Sequence, residues 1–167
     1  GLDSSDRGGE IKFMRDIKVA FLDQNIDFNP QNTLFDEVYS RLGETYNVIR
    51  RYEQAIASGD ERKIEQAIAA MDAADGWSAE QRIKQVLSEM KLTRLDQPMG
   101  ELSGGEAKRA AIALMLLQEA DFLIMDEPTN HLDMETLGWL EGFLAGYKKC
   151  VMVISHDRYF LDRVTNK

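Results

Sequence analysis

The stretch Phe122-Leu123-Ile124-Met125-Asp126-Glu127-Pro128-Thr129-Asn130-His131-Leu132-Asp133 decides the fold class. Four apolar residues run without alternation into two acids and a proline, the pattern of a short strand buried on both faces that ends in a loop. A second such run, Val151-Met152-Val153-Ile154, ends in Ser155-His156-Asp157. Ahead of the first lies a segment from Ser103 to about Glu119. Its apolar residues (Ala110, Ala111, Ile112, Leu114, Met115, Leu116) cover so much of a helix surface that it must be buried on most sides. Helix, strand, helix, strand, helix in alternation implies a parallel sheet and an α/β fold. A carboxylate pair and an imidazole then fall at strand C-terminal ends, where open α/β sheets bind ligands.

Upstream the pattern changes twice. Gly1 to Gly9 is polar and glycine-containing and reads as loop. Glu10–Met14 and Ile17–Leu22 read as two short extended segments around an Arg15-Asp16 turn. Asp23-Gln24-Asn25 breaks the second, and Asn29-Pro30 is a turn signal. From Thr33 the apolar period lengthens to about 3.6. Leu34, Phe35, Val38, Tyr39 and Leu42, then Tyr46, Ile49, Tyr52 and Ile56, share a drifting face. That predicts one helix from a cap at Asn32 or Thr33 to a stop at Ser58-Gly59-Asp60. Asp60 can cap a second helix carrying Ile64, Ala67, Ile68 and Met71 on one stripe. Gly76 closes that segment, and Ser78 with Gln81 predicts a capping box for a third helix bearing Ile83, Val86, Leu87 and Met90. The chain thus divides into residues 1–33 (strands of the α/β core and the loop holding Gln24), 34–97 (an inserted all-helical subdomain) and 98–167 (the rest of the core).

A length of 167 residues suits one domain with a small subdomain. The hydrophobic share of 44% and the charged share of 29% are near globular averages and argue against wholesale disorder. No apolar run approaches the roughly twenty residues that span a bilayer, and no signal-peptide pattern opens the sequence. A lone cysteine, Cys150, excludes an internal disulfide and a cysteine-based zinc cluster. The net charge of −9 argues against coating nucleic acid through bulk charge.

Three strings carry chemistry. In Leu102-Ser103-Gly104-Gly105-Glu106, Ser103 and Glu106 stand at capping-box spacing, while two glycines in the first turn cost helix propensity. A helix N-terminus stripped of side chains suits a phosphate; for the cap alone, an ordinary capped helix is the plainer account. Asp126 and Glu127 repel each other and call for a cation or solvent. Asp126 can hold Mg²⁺, and Glu127 can polarise an attacking water. His156 can donate a hydrogen bond to a phosphoryl oxygen, or else cap the following helix. His131 is assigned a structural part in its loop.

In order, Gln24, the helical block, Leu102–Glu106, Asp126-Glu127-Pro128-Thr129, Asn130-His131-Leu132-Asp133 and Ser155-His156-Asp157 resemble an ATP-binding-cassette ATPase domain. More narrowly, Glu127 to Asp133 and Ser155-His156-Asp157-Arg158 resemble the ABC-F branch. Its members carry two cassettes in one chain and no membrane domains, and many act on the ribosome. Gly76-Trp77 before the last helix of the block resembles the first cassette more than the second. The resemblance implies a P-loop NTPase fold, ATP and Mg²⁺ as ligands, and a cytoplasmic protein with a second cassette in the same chain and the ribosome as the partners to expect. It implies roles too. Gln24 is the glutamine-loop residue near metal and attacking water. Ser103, Gly104, Gly105 and Glu106 form the signature that grips nucleotide on the opposite cassette. Asp126 is the metal-associated acid, Glu127 the catalytic glutamate, Asp133 the interface aspartate and His156 the switch histidine.

No Gly-x-x-x-x-Gly-Lys-Ser/Thr string occurs in these residues. In the family that loop stands upstream of the region equivalent to Gly1, so the sequence reads as a partial cassette. The expectation is that the 167-residue chain alone neither binds ATP tightly nor hydrolyses it, and that an incomplete sheet leaves strand edges and an apolar face prone to self-association. Two other readings compete: the ATPase subunit of a transporter, against which Asn130-His131 weighs, and a helical interaction module. In the module reading Arg50-Arg51 and Arg62-Lys63 would meet RNA phosphate, although Glu53, Asp60, Glu61 and Glu65 make a solvated mixed-charge face the plainer account.

Overall fold

The structure, a computed structural model, describes residues 17–23, 28–40 and 43–165. The expected strand Glu10–Met14, its Arg15-Asp16 turn and Gln24 lie outside the described residues. Three parallel strands, β1 (Val19–Leu22), β2 (Phe122–Asp126) and β3 (Cys150–Ile154), pair in the order β1-β2-β3. In register, Ala20 pairs with Leu123 and Leu123 with Val151, while Leu22 pairs with Met125 and Met125 with Val153. The α/β class and the parallel pairing agree with the sequence reading.

The strands are not buried on both faces, as their unbroken apolar runs led one to expect. Ala20, Leu22, Leu123 and Met125 belong to the core, with Val151 and Val153 packed against it. Their neighbours along each strand (Val19, Phe21, Phe122, Ile124, Met152 and Ile154) take no part in it. Phe21, Met152 and Ile154 are about half exposed. Side chains alternate across a strand, so a run of apolar residues shows only that both faces are apolar. Whether something lies against each face is a tertiary fact.

Between β1 and β2 run the helices α1 (Leu34–Ser40), α2 (Glu44–Ser58), α3 (Glu61–Ala73), α4 (Gly76–Glu89) and α5 (Gly104–Leu117). A 3-10 turn at Met99–Glu101 precedes α5; α6 (Met134–Ala145) and α7 (Arg158–Val164) follow β2 and β3. The single helix expected up to Ser58 is two. Gly43 takes φ 62 between α1 and α2, a left-handed conformation open to glycine without penalty. The apolar periodicity survives this break because Tyr39 and Tyr46 stack across it with ring centroids 4.1 Å apart. The third helix of the block also starts earlier than expected. Gly76 opens α4 after Asp75 in the left-handed region, and Ser78 Oγ donates to Asp75 Oδ1 at 2.8 Å instead of forming a box with Gln81. Glycine suits the close approach there: a Cβ at Gly76 would stand 2.6 Å from Met71 Sδ and 3.3 Å from Met71 Cα. Local capping elsewhere follows the sequence. Asp60 Oδ1 accepts Arg62 N–H and Lys63 N–H at the head of α3, and the Asn29-Pro30 turn is present.

One buried cluster runs from Leu34, Val38, Ile49 and Met71 through Ile83 and Leu87 to Ile112, Leu114, Leu123 and Leu140. α5 is its axis, buried from Ala110 to Leu117. Arg109 Nε donates to Met90 O at 2.9 Å, which fixes the end of α4 against the second turn of α5. The helical block therefore shares its core with the sheet layer.

Candidate functional site

β2 ends at Asp126, and the backbone turns sharply there. Glu127 has φ 44, a left-handed conformation that costs a non-glycine residue about 1–3 kcal/mol unless its surroundings hold it. They do so at several points. Glu127 N–H donates to Ile154 O at 2.8 Å, across to β3. Its carboxylate is nearly buried, with 9% of the residue exposed. Oε1 accepts His156 N–H at 3.1 Å, and Oε2 accepts the Ser155 hydroxyl at 3.4 Å. His156 Nε2 lies 3.7 Å from Glu127 Oε1, on an imidazole that is otherwise fully exposed. The tandem acids and the late histidine, 29 residues apart, are thus one cluster at adjacent strand ends. A buried, oriented carboxylate beside an accessible imidazole can polarise a water and hydrogen-bond an anion.

Beneath the acids lies Lys108, 6% exposed. Its Nζ donates to Asp126 O at 3.3 Å. Burial pushes the Lys108 ammonium down in pKa, against the opposing pull of the Asp126, Asp23 and Glu127 charges. Asp23 follows the end of β1, so acids from two neighbouring strand ends converge near this lysine. Asp126 and Asp23 are hard oxygen donors of the type Mg²⁺ takes. Among the described residues no group of three potential metal ligands is assembled, so these alone do not make an all-protein cage for it.

The signature turn is a capped helix start. Ser103 Oγ accepts Glu106 N–H at 3.3 Å, and Glu106 Oε2 accepts Ser103 N–H at 2.9 Å and its hydroxyl at 2.7 Å. Those two bonds from Ser103 hold the Glu106 carboxyl below its ordinary range, with Arg94 assisting at 3.6 Å. A Cβ at Gly104 would meet nothing within 4 Å, so the first turn is open to an approaching group. Gly105 lies close to His131 O, and His131 itself is left-handed at φ 66. Among the described residues no hydrogen bond or ion pair joins Ser103, Gly104, Gly105 or Glu106 to Asp126, Glu127 or His156. The structure brings together the acids and imidazole but leaves the signature turn as a separate surface.

Asp133 caps α6, accepting Glu135 N–H and Thr136 N–H at 3.1 Å each. Lys91 Nζ reaches its Oδ1 at 2.9 Å and Glu135 at 2.8 Å, tying the end of the helical block to this loop. The Thr136 N–H and then Lys91 hold the Asp133 carboxyl well below the usual range. Sequence reasoning missed Lys108, Ser155 and Lys91 as site residues. For Lys108 a signal existed: it is a cation in a helix otherwise bound for the core. For Lys91 none did, since its partners lie more than forty positions away.

The structure thus holds a parallel α/β layer with carboxylates and an imidazole at adjacent strand ends, and an open capped helix start on a separate surface. Comparison with known proteins gives the lineage. The family described as ABC transporter matches residues 3–130, and the chain belongs to that family. It is 43% identical over 175 residues to the uncharacterized ABC transporter ATP-binding protein YfmR of Bacillus subtilis (strain 168), covering 100% of this chain and 28% of that protein. It is 34% identical over 176 residues to the energy-dependent translational throttle protein EttA of Escherichia coli (strain K12), covering 98% of this chain and 31% of that protein. EttA is an ABC-F protein, in line with the branch that the motifs resemble. The chain thus spans about a third or less of the length of these relatives. A solved ATP-binding subunit of an ABC transporter superposes with a TM-score of 0.63 at 19% identity, over 88% of this chain and 52% of that one, a likeness of fold.

Proposed function

We propose that this chain is the acid-and-signature part of an ATPase cassette in an ABC-F protein that works on the ribosome. The observation that carries the reading is the cluster Glu127–Ser155–His156, whose buried carboxylate and exposed imidazole stand at adjoining strand ends. In this reading Glu127 orients and deprotonates the attacking water, and His156 donates to the γ-phosphoryl oxygens as charge develops there. Asp126, with Gln24 from outside the described residues, would hold Mg²⁺. That ion neutralises phosphate charge when bound. Ser103, Gly104 and Gly105 offer N–H groups at the open end of α5 to a nucleotide held by a second cassette, and Asp133 lies at the contact between the two.

The translational setting rests on the similarity to a protein named as a translational throttle. That no helix among the described residues is long and apolar enough to cross a membrane is compatible with a cytoplasmic protein. The part of the helical block that would face RNA is the α2–α3 hairpin. There Arg51 and Lys63 flank a groove lined by Ala55, Ser58, Ala67 and Ala70.

The test is Glu127→Gln in the full-length gene product. ATP should still bind within about threefold of the native affinity while turnover falls at least about a hundredfold, because only the base is removed. The variant held with ATP should co-sediment with ribosomes more strongly than the native protein, and less so as salt rises. Retained turnover would refute the assignment of Glu127. The 167-residue chain by itself should bind ATP no tighter than the high micromolar range; submicromolar binding by calorimetry would contradict this reading.

A further inference from the structure

Lys108 has no part in the roles above, yet its position is expensive. A lysine that is 6% exposed in a helix whose next turns are Ala110 to Leu117 would serve packing better as a methionine or leucine. Besides its charge, which faces Asp126, Asp23 and Glu127, the lysine supplies a donor: Nζ to Asp126 O, 3.3 Å. That carbonyl belongs to the peptide whose N–H is Glu127's, and the N–H donates to Ile154 O at 2.8 Å. The Asp126–Glu127 peptide is therefore gripped at both ends, by α5 on one side and β3 on the other. Rotation about the next bond gives Glu127 its φ of 44, and the carboxylate is received by His156 N–H and Ser155.

We propose that Lys108 is a positioning residue: by holding the carbonyl of the Asp126–Glu127 peptide it keeps Glu127 in the left-handed conformation that delivers its carboxylate to Ser155 and His156. This rests on the catalytic reading of Glu127, and it goes further by naming what sustains the conformation. With the carbonyl released, the peptide can rotate, the strained φ relaxes toward the extended or right-handed regions, and the carboxylate leaves its receptors.

The experiment uses the full-length gene product with Lys108→Met, which matches the stem and removes the donor. Hydrogen exchange without nucleotide reads the clamp directly. The amide of Glu127 should exchange at least about tenfold faster, while the amides of Leu123 to Met125 hold their native rates. In steady-state kinetics kcat should fall at least about tenfold with KM for ATP unchanged within about twofold, and Lys108→Arg should restore both readouts to within about threefold of native. Should the methionine variant not fold, Lys108→Gln takes its place. Its amide nitrogen ends one atom short of the lysine's, and the variant should give the same pair of losses. Native exchange at Glu127 in a folded variant would overturn the proposal, as would exchange rising equally throughout α5 and β2. If the Glu127 amide is freed as expected while Glu127→Gln keeps native turnover, the positioning stands and the catalytic reading fails. If Glu127→Gln abolishes turnover and Lys108→Met leaves the amide and kcat native, the positioning fails alone.

Discussion

Asp133 shows how much a single carboxylate can hold. It takes two backbone N–H groups of α6, the Thr136 hydroxyl and the Lys91 ammonium, and its carboxyl is held well below the usual range as a result. A depressed folded-state value means that the anion is favoured in the native state. Its contribution is fully present above the ordinary aspartate value of about 4 and is lost as pH falls through the lower folded value. Asp133→Asn keeps a competent cap but not the charge. Its thermal midpoint should lie below that of the native chain at neutral pH, with the gap closing toward about pH 2. A gap constant across that range in melts followed by circular dichroism would refute the charge argument. Asp60 and Ser103 were legible as caps because each bonds to residues two or three positions ahead, whereas Asp133, read only as an interface residue, proves to be a cap as well. The bonds of Lys108 and Ser155 were not legible, since their partners lie 18 and 28 positions away; only the oddity of a cation in a core-bound helix marked Lys108.

Among the elements, α5 lies along the axis of the core, and the α3–α4 junction shows packing overriding a local signal. The signature helix followed its capping box as read, with Ser103 as cap and Glu106 in the first turn. The junction did not follow its reading. Ser78 and Gln81 have capping-box spacing, yet α4 begins at Gly76, where the absent side chain lets the helix start ride over Met71. A tertiary contact overrode a local signal of the same order, about 1 kcal/mol. Gly76→Ala should therefore destabilise the chain by about 1–3 kcal/mol, since its Cβ would crowd both Met71 Sδ and, at 3.3 Å, the Met71 backbone. With Met71→Ala added, the pair should lose less than the sum of the single changes, by at least about 0.5 kcal/mol in denaturant titrations. Strict additivity would mean that the two positions do not meet.

At the scale of the whole molecule, the sheet is finished on one face only. Phe21, Met152 and Ile154 stand half exposed beside Ile124 and outside the core, and β3 has a partner among the described strands on one side alone. Apolar strand faces left open invite association. The 167-residue chain should bind a hydrophobic dye and show concentration-dependent assembly by light scattering. Met152→Thr with Ile154→Thr should reduce both, and dye binding unaffected by the pair would place the sticky surface elsewhere. The sequence by itself determined the α/β class, the caps at Asp60 and Ser103, the strand-end placement of the acids and histidine, and the family, because each is written in short runs of residues. Only the tertiary structure decided that Glu127, Ser155 and His156 touch, that Lys108 grips the peptide between the acids, and that one sheet face lies open. Those facts depend on how distant segments pack, and no local energetic preference encodes that.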